Sequence, residues 1–457
     1  MKQPSPTAAT GKRPLTLLEL NELNFDIVRR YTQQFPARFP NFERLLRIEY
    51  RETSSEDSYE KLEPWIQWVS AHSGMTADEH GVFRLGDAVN TDFPQLLGTL
   101  ERHGVSVGGV SPMNMSNQTR APAYFIPDPW TQTPTDGSTW SARIWDAISQ
   151  AVNDNAQSRL TPSTVAWLAL AFARFASWRN LGLYKSLLSR ARGAPWRKAL
   201  FLDAFLDDVH AGLLRAKRPQ FTVLFLNAGA HIQHHYLFNA RGLEQNRLSN
   251  PSWYVSPDVD PFGEMLEVYD RVLGRHLDES RDLIVATGLS QVPYDRVKFY
   301  YRLKNHKAFL SRLSVPFTQA LPRMTRDFLV ECADEAQAAE AAQRLAAVRA
   351  VSDDQAIFGD IDPRGTSLFV TLTYPKEISV GFKIKDGNGR TWDFHDDVAF
   401  VAIKNGMHSG RGFSFFRGDI ARHAPASGAH VKALHDTVMR HFGAPISRPA
   451  SLSGKSA

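Results

Sequence analysis

Residues 63–86 read EPWIQWVSAHSGMTADEHGVFRLG. Pro64 suits the first turn of a helix, where its missing N–H costs nothing. The mix of apolar and polar residues that follows makes one or two buried helical turns, which stop at Ser73-Gly74. His80-Gly81-Val82 comes six residues after the glycine. A helix start presents backbone N–H groups and the positive end of a dipole to an oxyanion. The same letters also describe an ordinary buried helix with a glycine stop, so the surrounding chain decides between them.

Upstream, LTLLEL (Leu15–Leu20) is a short apolar run after a turn-rich tail, as expected of a buried parallel strand. Polar residues 21–24 (NELN) follow, and then helix-compatible segments at 25–31 and from Pro40. Downstream the same order returns, with a helix over 94–103 and a strand over 105–110. Another strand, 221–226, ends in Asn227 and His231. A helix over 263–278 and a strand over 282–286 come next. Strands alternating with helices, each strand ending in polar groups, predict a mostly parallel, doubly wound α/β sheet. Its ligands bind outside the C-terminal strand ends. Residues 125–130 (FIPDPW) read as an irregular loop, and 53–62 as a polar one. Asn114, Asn117 and Trp130 read either as pocket lining or as Asx turns with a packed Trp.

We divide the chain into disordered tails at 1–14 and 446–457, a core at 15–134, 219–322 and 396–445, a helical insertion at 135–218 and a small α+β cap at 323–395. In the insertion, TVAWLALAFARFASW (164–178) is apolar around most of its circumference and basic residues follow it at 190–197. That reads as an insert core or as a helix lying on a membrane surface. No run of ~18 apolar residues predicts a membrane span.

The chain has 457 residues, 43% hydrophobic and 22% charged, with a formal net charge of +5. This is a globular composition with no dense basic run, so a nucleic-acid partner is not expected. One cysteine, Cys332, excludes an internal disulfide framework and a multi-cysteine metal site. It fits a reducing compartment, and a cytoplasmic location is expected.

Three segments carry a family resemblance: LELNELNFDIVRRY followed by FPNFERLL, the 63–86 stretch with its late HG, and GMHSGRGF at 406–413. Together they resemble the alkaline phosphatase superfamily, in its phosphodiesterase/nucleotide pyrophosphatase and sulfatase-like branches, over roughly residues 15–110, 220–295 and 397–420. The family builds one metal site from an Asp, a His four residues later and a distant late His. The matching positions here are Asn227, His231 and His408, with His234 or His235 available to complete the shell. The resemblance therefore implies one divalent ion, zinc or manganese. The family's second site uses a first-strand Asp, an Asp-His pair and a nucleophile. Here those positions hold Asn21, Gly288-Leu289 and Pro64, so a two-metal displacement is not expected.

Glu63 and Glu22 are the carboxylates placed for general acid–base work. Glu63 also reads as a first-turn charge that stabilises its helix dipole by ~0.3–1 kcal/mol. Asn21, Trp65, Asn114 and Arg411 are expected to bind substrate. Ser70, His72 and Ser73 stand too close along one helix to face each other as a catalytic pair. The expected activity is an atypical hydrolase or transferase on phosphate or sulfate esters, with a small anionic or glycan ester as substrate. One alternative is a catalytically degenerate anion-binding or scaffold protein. Another is a peripheral membrane protein that acts on lipid-linked glycans through residues 160–200.

Overall fold

The computed structural model describes residues 11–153, 161–243, 248–323 and 326–446. The tail expected from 446 onward lies, after its first residue, outside the described residues, as does most of the tail expected at 1–14. The chain forms two compact units. The first comprises 1–245, 258–292 and 406–457, and the second 246–257 and 293–405. The cap drawn from the sequence at 323–395 thus falls inside a longer second unit.

The first unit holds an eight-stranded sheet. Five strands run parallel, in the order β6 (Asp282–Ala286), β1 (Leu15–Leu20), β5 (Phe221–Leu226), β3 (Val107–Val110) and β4 (Tyr124–Ile126). All six residues of β1 and of β5 are buried, because helices cover both faces of a parallel sheet. On the other side of β6 lie Arg411–Arg417, antiparallel to it, then β2 (Tyr50–Ser54) and the short strand Ala429–His430. The sequence reading left these last three out, and β4 overlaps the start of the loop expected at 125–130. β2 is half exposed and charged (YRETS), so it lacks the apolar run that marks the central strands. Parallel strands β1, β5 and β6 point their C-terminal ends to one edge. The chain places β5 on one side of β1 and β6 on the other, which makes that edge the crevice of the sheet.

Helices of the first unit include α1 (Phe25–Gln34), α2 (Pro40–Leu46), α3 (Pro64–Ser73), α4 (Ala77–His80), α5 (Leu96–Arg102), α6 (Thr139–Asn153), α7 (Pro162–Phe175), α8 (Leu181–Ser189), α9 (Trp196–Lys217), α10 (Ala228–Tyr236) and α11 (Pro261–Asp278). The quoted stretch forms α3, with nine of its ten residues buried and Gly74 in the left-handed region at φ 74°. A Cβ on Gly74 would stand 2.7 Å from His435 Nδ1, so both the turn and the packing require glycine there. α4 is closed by a capping box between Thr76 and Glu79. The insertion expected at 135–218 consists of α6 to α9.

The second unit has its own core around Phe328, Val330, Ala341, Leu345, Leu368 and Val370. A four-stranded antiparallel sheet carries it, covered by the helix Glu335–Ala346. Cys332 is buried there as a free thiol. The chain leaves the first unit within the strand Ser290–Leu303 and returns within Val398–Ser409. The latter continues past residue 403, where the sequence reading ended it. Among the described residues, no helix is long and apolar enough to cross a membrane.

Candidate metal centre

β1 ends at Leu20, and the next two residues turn into the crevice. The amide of Asn21 still donates to Leu226 O (3.0 Å) on β5, and that of Glu22 to Thr287 O (3.0 Å) beyond β6. Glu22 adopts a φ of 60°, a left-handed conformation that costs a side-chain-bearing residue roughly 1–3 kcal/mol and recurs at functional sites. Its carboxylate is buried and fixed from two sides. Gln291 Nε2 donates to Oε2 (2.5 Å) and Asn21 Nδ2 to Oε1 (3.1 Å).

α10 begins where β5 ends. Asp203 on α9 accepts from the amides of Asn227 (3.3 Å) and Ala228 (2.7 Å), and Tyr269 on α11 donates to the same carboxylate (2.7 Å). Burial pushes the Asp203 carboxyl up to about 6, although these donors oppose the shift. Gln233 ties the helix to the Glu22 turn: Nε2 donates to Glu22 O (2.9 Å), and Oε1 accepts from the Asn24 amide (3.1 Å). With the rotation of α10 fixed in this way, His234 reaches Glu22.

Three atoms converge. Glu22 Oε2 is 3.1 Å from His234 Nε2 and 3.1 Å from His408 Nε2, and the two nitrogens are 3.3 Å apart. On its far side, His408 Nδ1 lies 3.7 Å from Glu63 Oε2. Burial alone would raise the Glu22 carboxyl. The imidazoles of His408 and His234 outweigh it and hold the group well below the usual carboxylate range. Ligands bound at about 2.0–2.1 Å around a tetrahedral zinc ion stand roughly 3.3–3.4 Å from one another. The observed triangle matches that spacing without rearrangement. Two imidazoles and one carboxylate are also the donors of a catalytic zinc site with a fourth position left open. Glu63 beyond His408, and Gln291 with Asn21 behind Glu22, provide the outer contacts such ligands need. The residues present therefore fit a divalent ion.

This grouping differs from the one read in the sequence. His408 is in it, whereas Asn227 and His231 are not. Asn227 Oδ1 accepts from Asn21 Nδ2 (2.8 Å), and Asn21 Oδ1 in turn accepts from Trp68 Nε1 (2.7 Å), so both amides serve to hold the strand ends together. His231 lies against His235 and Tyr236, with ring centroids 5.0 and 6.0 Å away, and loss of solvent pulls its imidazole down to about 4. Glu22, expected as a base, supplies one of the three converging atoms. Gln291 escaped the sequence reading, though a polar residue just past the end of β6 was its available signal.

Three expected substrate contacts have other tasks. Asn114 is fully buried; its Oδ1 accepts from Gly86 and Ala88 amides, and its Nδ2 donates to Trp65 O and Arg84 O. Trp65 donates to Phe83 O (3.2 Å). The Arg411 guanidinium pairs with both Asp26 and Glu52. At the start of α3, the amides of Ile66 and Gln67 turn onto Glu63 O (2.9 and 3.1 Å), which leaves a thinner anion cradle than the sequence suggested. Ser70 faces His80, and His72 pairs with Glu19.

A second group, Asp207, His210 and His276, is completely buried. Arg275 already neutralises Asp207 (2.8 Å) and Asp208 (2.5 Å). His210 bonds Thr222, near the N-terminal end of β5 and away from the crevice. We read it as a structural ion-pair network.

No protein-family model and no curated protein sequence matches the chain. Solved structures do. Phosphonoacetate hydrolase from Sinorhizobium meliloti 1021 is similar at TM-score 0.44 and 11% identity, over 94% of this chain and 96% of that one. Murine ectonucleotide pyrophosphatase/phosphodiesterase 5 is similar at TM-score 0.39 and 8% identity, over 96% and 97%. Alkaline phosphatase from the Antarctic bacterium TAB5 is similar at TM-score 0.39 and 10% identity, over 95% and 99%.

Proposed function

We propose that the protein is a hydrolase or transferase of phosphate or sulfate esters that works with one divalent ion held by Glu22, His234 and His408. One observation carries this: three ligand atoms already at tetrahedral spacing on the crevice edge of the sheet. When bound, the ion supplies Lewis acidity toward an ester oxygen and lowers the pKa of a bound water. The protein's own groups do the rest. Glu63, facing His408 Nδ1, favours the tautomer that turns the Nε2 lone pair inward. Glu63 is also the carboxylate left for proton transfer, since Glu22 is committed to the ligand set. Gln291 and Asn21 keep the Glu22 carboxylate from turning away.

The test is elemental analysis of protein purified without a metal-binding tag. About one zinc per chain is expected, absent from Glu22→Gln, His234→Ala and His408→Ala and retained in His231→Ala. Hydrolysis of aryl phosphate monoesters, diesters and sulfates is then compared across the same set. If the wild type takes up no zinc or manganese on incubation, the proposal fails, and the site is a hydrogen-bonded Glu–His–His cluster for an anion or a partner. Metal lost in His231→Ala but kept in His234→Ala would restore the ligand set read from the sequence.

A further inference from the structure

A long stretch of the helical insertion is basic and free of acidic residues. Residues 161–202 contain seven of the 53 basic residues and none of the 48 acidic ones, which leaves 46 against 48 elsewhere. This segment forms α7, a short turn and α8, and enters α9. Arg197 is committed to Glu264. Arg174, Arg179, Lys185, Arg190, Arg192 and Lys198 are exposed.

The same segment displays apolar side chains. Among the described residues, twelve large apolar side chains are exposed, and five of them are here: Val165, Leu170, Leu181 and Leu188, each more than half exposed, and Trp178 at 76%. α7 (PSTVAWLALAFARF) is apolar nearly all round, a composition that normally means burial. Only Ala171 and Phe175 are buried. At 100° per residue, Val165, Ala166, Ala169, Leu170 and Ala173 occupy one arc of about 140°, and all five are exposed. The opposite face accounts for the packing. Phe172 meets Tyr184, Phe201 and Phe205, and Trp167 meets Trp140. Asp208 clamps the turn after α7 by accepting from the Ser177 amide (2.7 Å) and Asn180 Nδ2 (3.0 Å). The exposed arc is thus held outward by a rigid base.

We infer that α7, α8 and the turn between them form a docking surface for an anionic lipid bilayer. The helix is too short to span one, so it lies in the interface with the exposed arc toward the acyl chains. Trp178 is an amphipathic ring suited to headgroup depth, and Arg179 lies over it, 5.4 Å from its centroid. Lysine and arginine stems cover apolar surface while their heads reach lipid phosphates. The complete lack of acidic residues distinguishes this patch from a face awaiting a second copy of itself, which would set cations against cations.

The experiment is co-sedimentation of the full chain with vesicles of phosphatidylcholine alone or with 30% phosphatidylglycerol. Binding at least tenfold stronger to the anionic vesicles is expected, lost at 0.5 M salt. Leu170→Ser/Trp178→Ser and Arg174→Glu/Arg179→Glu are each expected to reduce it tenfold or more. These side chains are exposed, so thermal unfolding should match the wild type. Brominated lipid should quench fluorescence in the wild type and less in Trp178→Phe, with binding retained. No binding to anionic vesicles at low salt would overturn the inference, as would binding that both double variants leave unchanged or equal binding to neutral vesicles. A concentration-dependent dimer that both double variants convert to monomer, without lipid binding, would assign the surface to a second copy instead.

Discussion

Replacing Arg275 with methionine probes the buried ion network on α9 and α11. The guanidinium is the partner of two carboxylates, Asp207 at 2.8 Å and Asp208 at 2.5 Å, whose side chains are 2% and 0% exposed. Methionine keeps much of the volume and removes the charge. Removing one partner of a buried pair costs about 3–5 kcal/mol, because the remaining charge has neither water nor a counter-ion. Both acids keep other donors. Asp208 retains the Ser177 amide, Asn180 and the Tyr184 hydroxyl, and Asp207 retains His276 at 3.0 Å. The cost should therefore sit at the lower end, about 3 kcal/mol, or somewhat over 100-fold in the opening equilibrium. Hydrogen exchange of peptides from α9 and α11 reads that opening directly and does not require the two units to unfold together. Adding Asp207→Asn to the methionine variant should recover part of the protection, since one of the unpaired charges is gone. A loss of less than threefold in Arg275→Met would refute the reasoning and return Asp207, His210 and His276 to consideration as a ligand group.

Three further expectations follow from the structure. His80 is buried; its Nδ1 accepts from the Val82 amide (3.0 Å) and its Nε2 meets Ser70 Oγ (3.1 Å), so burial favours the neutral ring and pulls it down to about 4 from an ordinary 6.5. Its folded pKa lies below the unfolded one, so its contribution is complete above about pH 6.5 and is lost as pH falls toward 4. The size is roughly 3 kcal/mol at 1.36 kcal/mol per unit, and urea titrations across that range should show a flatter slope in His80→Gln. A Cβ on Gly406 would stand 2.0 Å from Gln291 Oε1 and 2.6 Å from Gln233 O, so Gly406→Ala should displace the groups that hold Glu22 and α10 and lower metal content while helical circular dichroism persists. Gln291→Leu removes the donor on Glu22 Oε2 and should weaken metal binding about 10–100-fold, measured by competition with a chelator, with a fold that melts close to the wild type.

Much of this architecture is legible in one dimension. Central parallel strands are buried on both faces, so LTLLEL, FTVLFL and DLIVA are mostly apolar and can be read as strands from composition. Pro64 and Gly74 bracket α3 because backbone geometry demands those residues at those places. The polar residues after each strand mark the crevice edge, and the uninterrupted positive charge of 161–202 is a fact of the sequence. Edge strands are a different matter. Tyr50–Ser54 is half exposed and needs no apolar run, so only its partner Arg411–Arg417, more than 350 residues away, defines it. The choice among the three histidines of one helix was also beyond the sequence. His231, His234 and His235 lie on one short helix, and which of them enters the crevice depends on its rotation. Asp203 on α9 and Tyr269 on α11 set that rotation, together with the bond from Gln233, on the helix itself, to the Glu22 turn. Sequence thus determined which polar groups gather at the strand ends. Tertiary packing brought Glu22, His234 and His408 together from among them, because convergence of side chains is a matter of ångströms and no spacing along the chain encodes it.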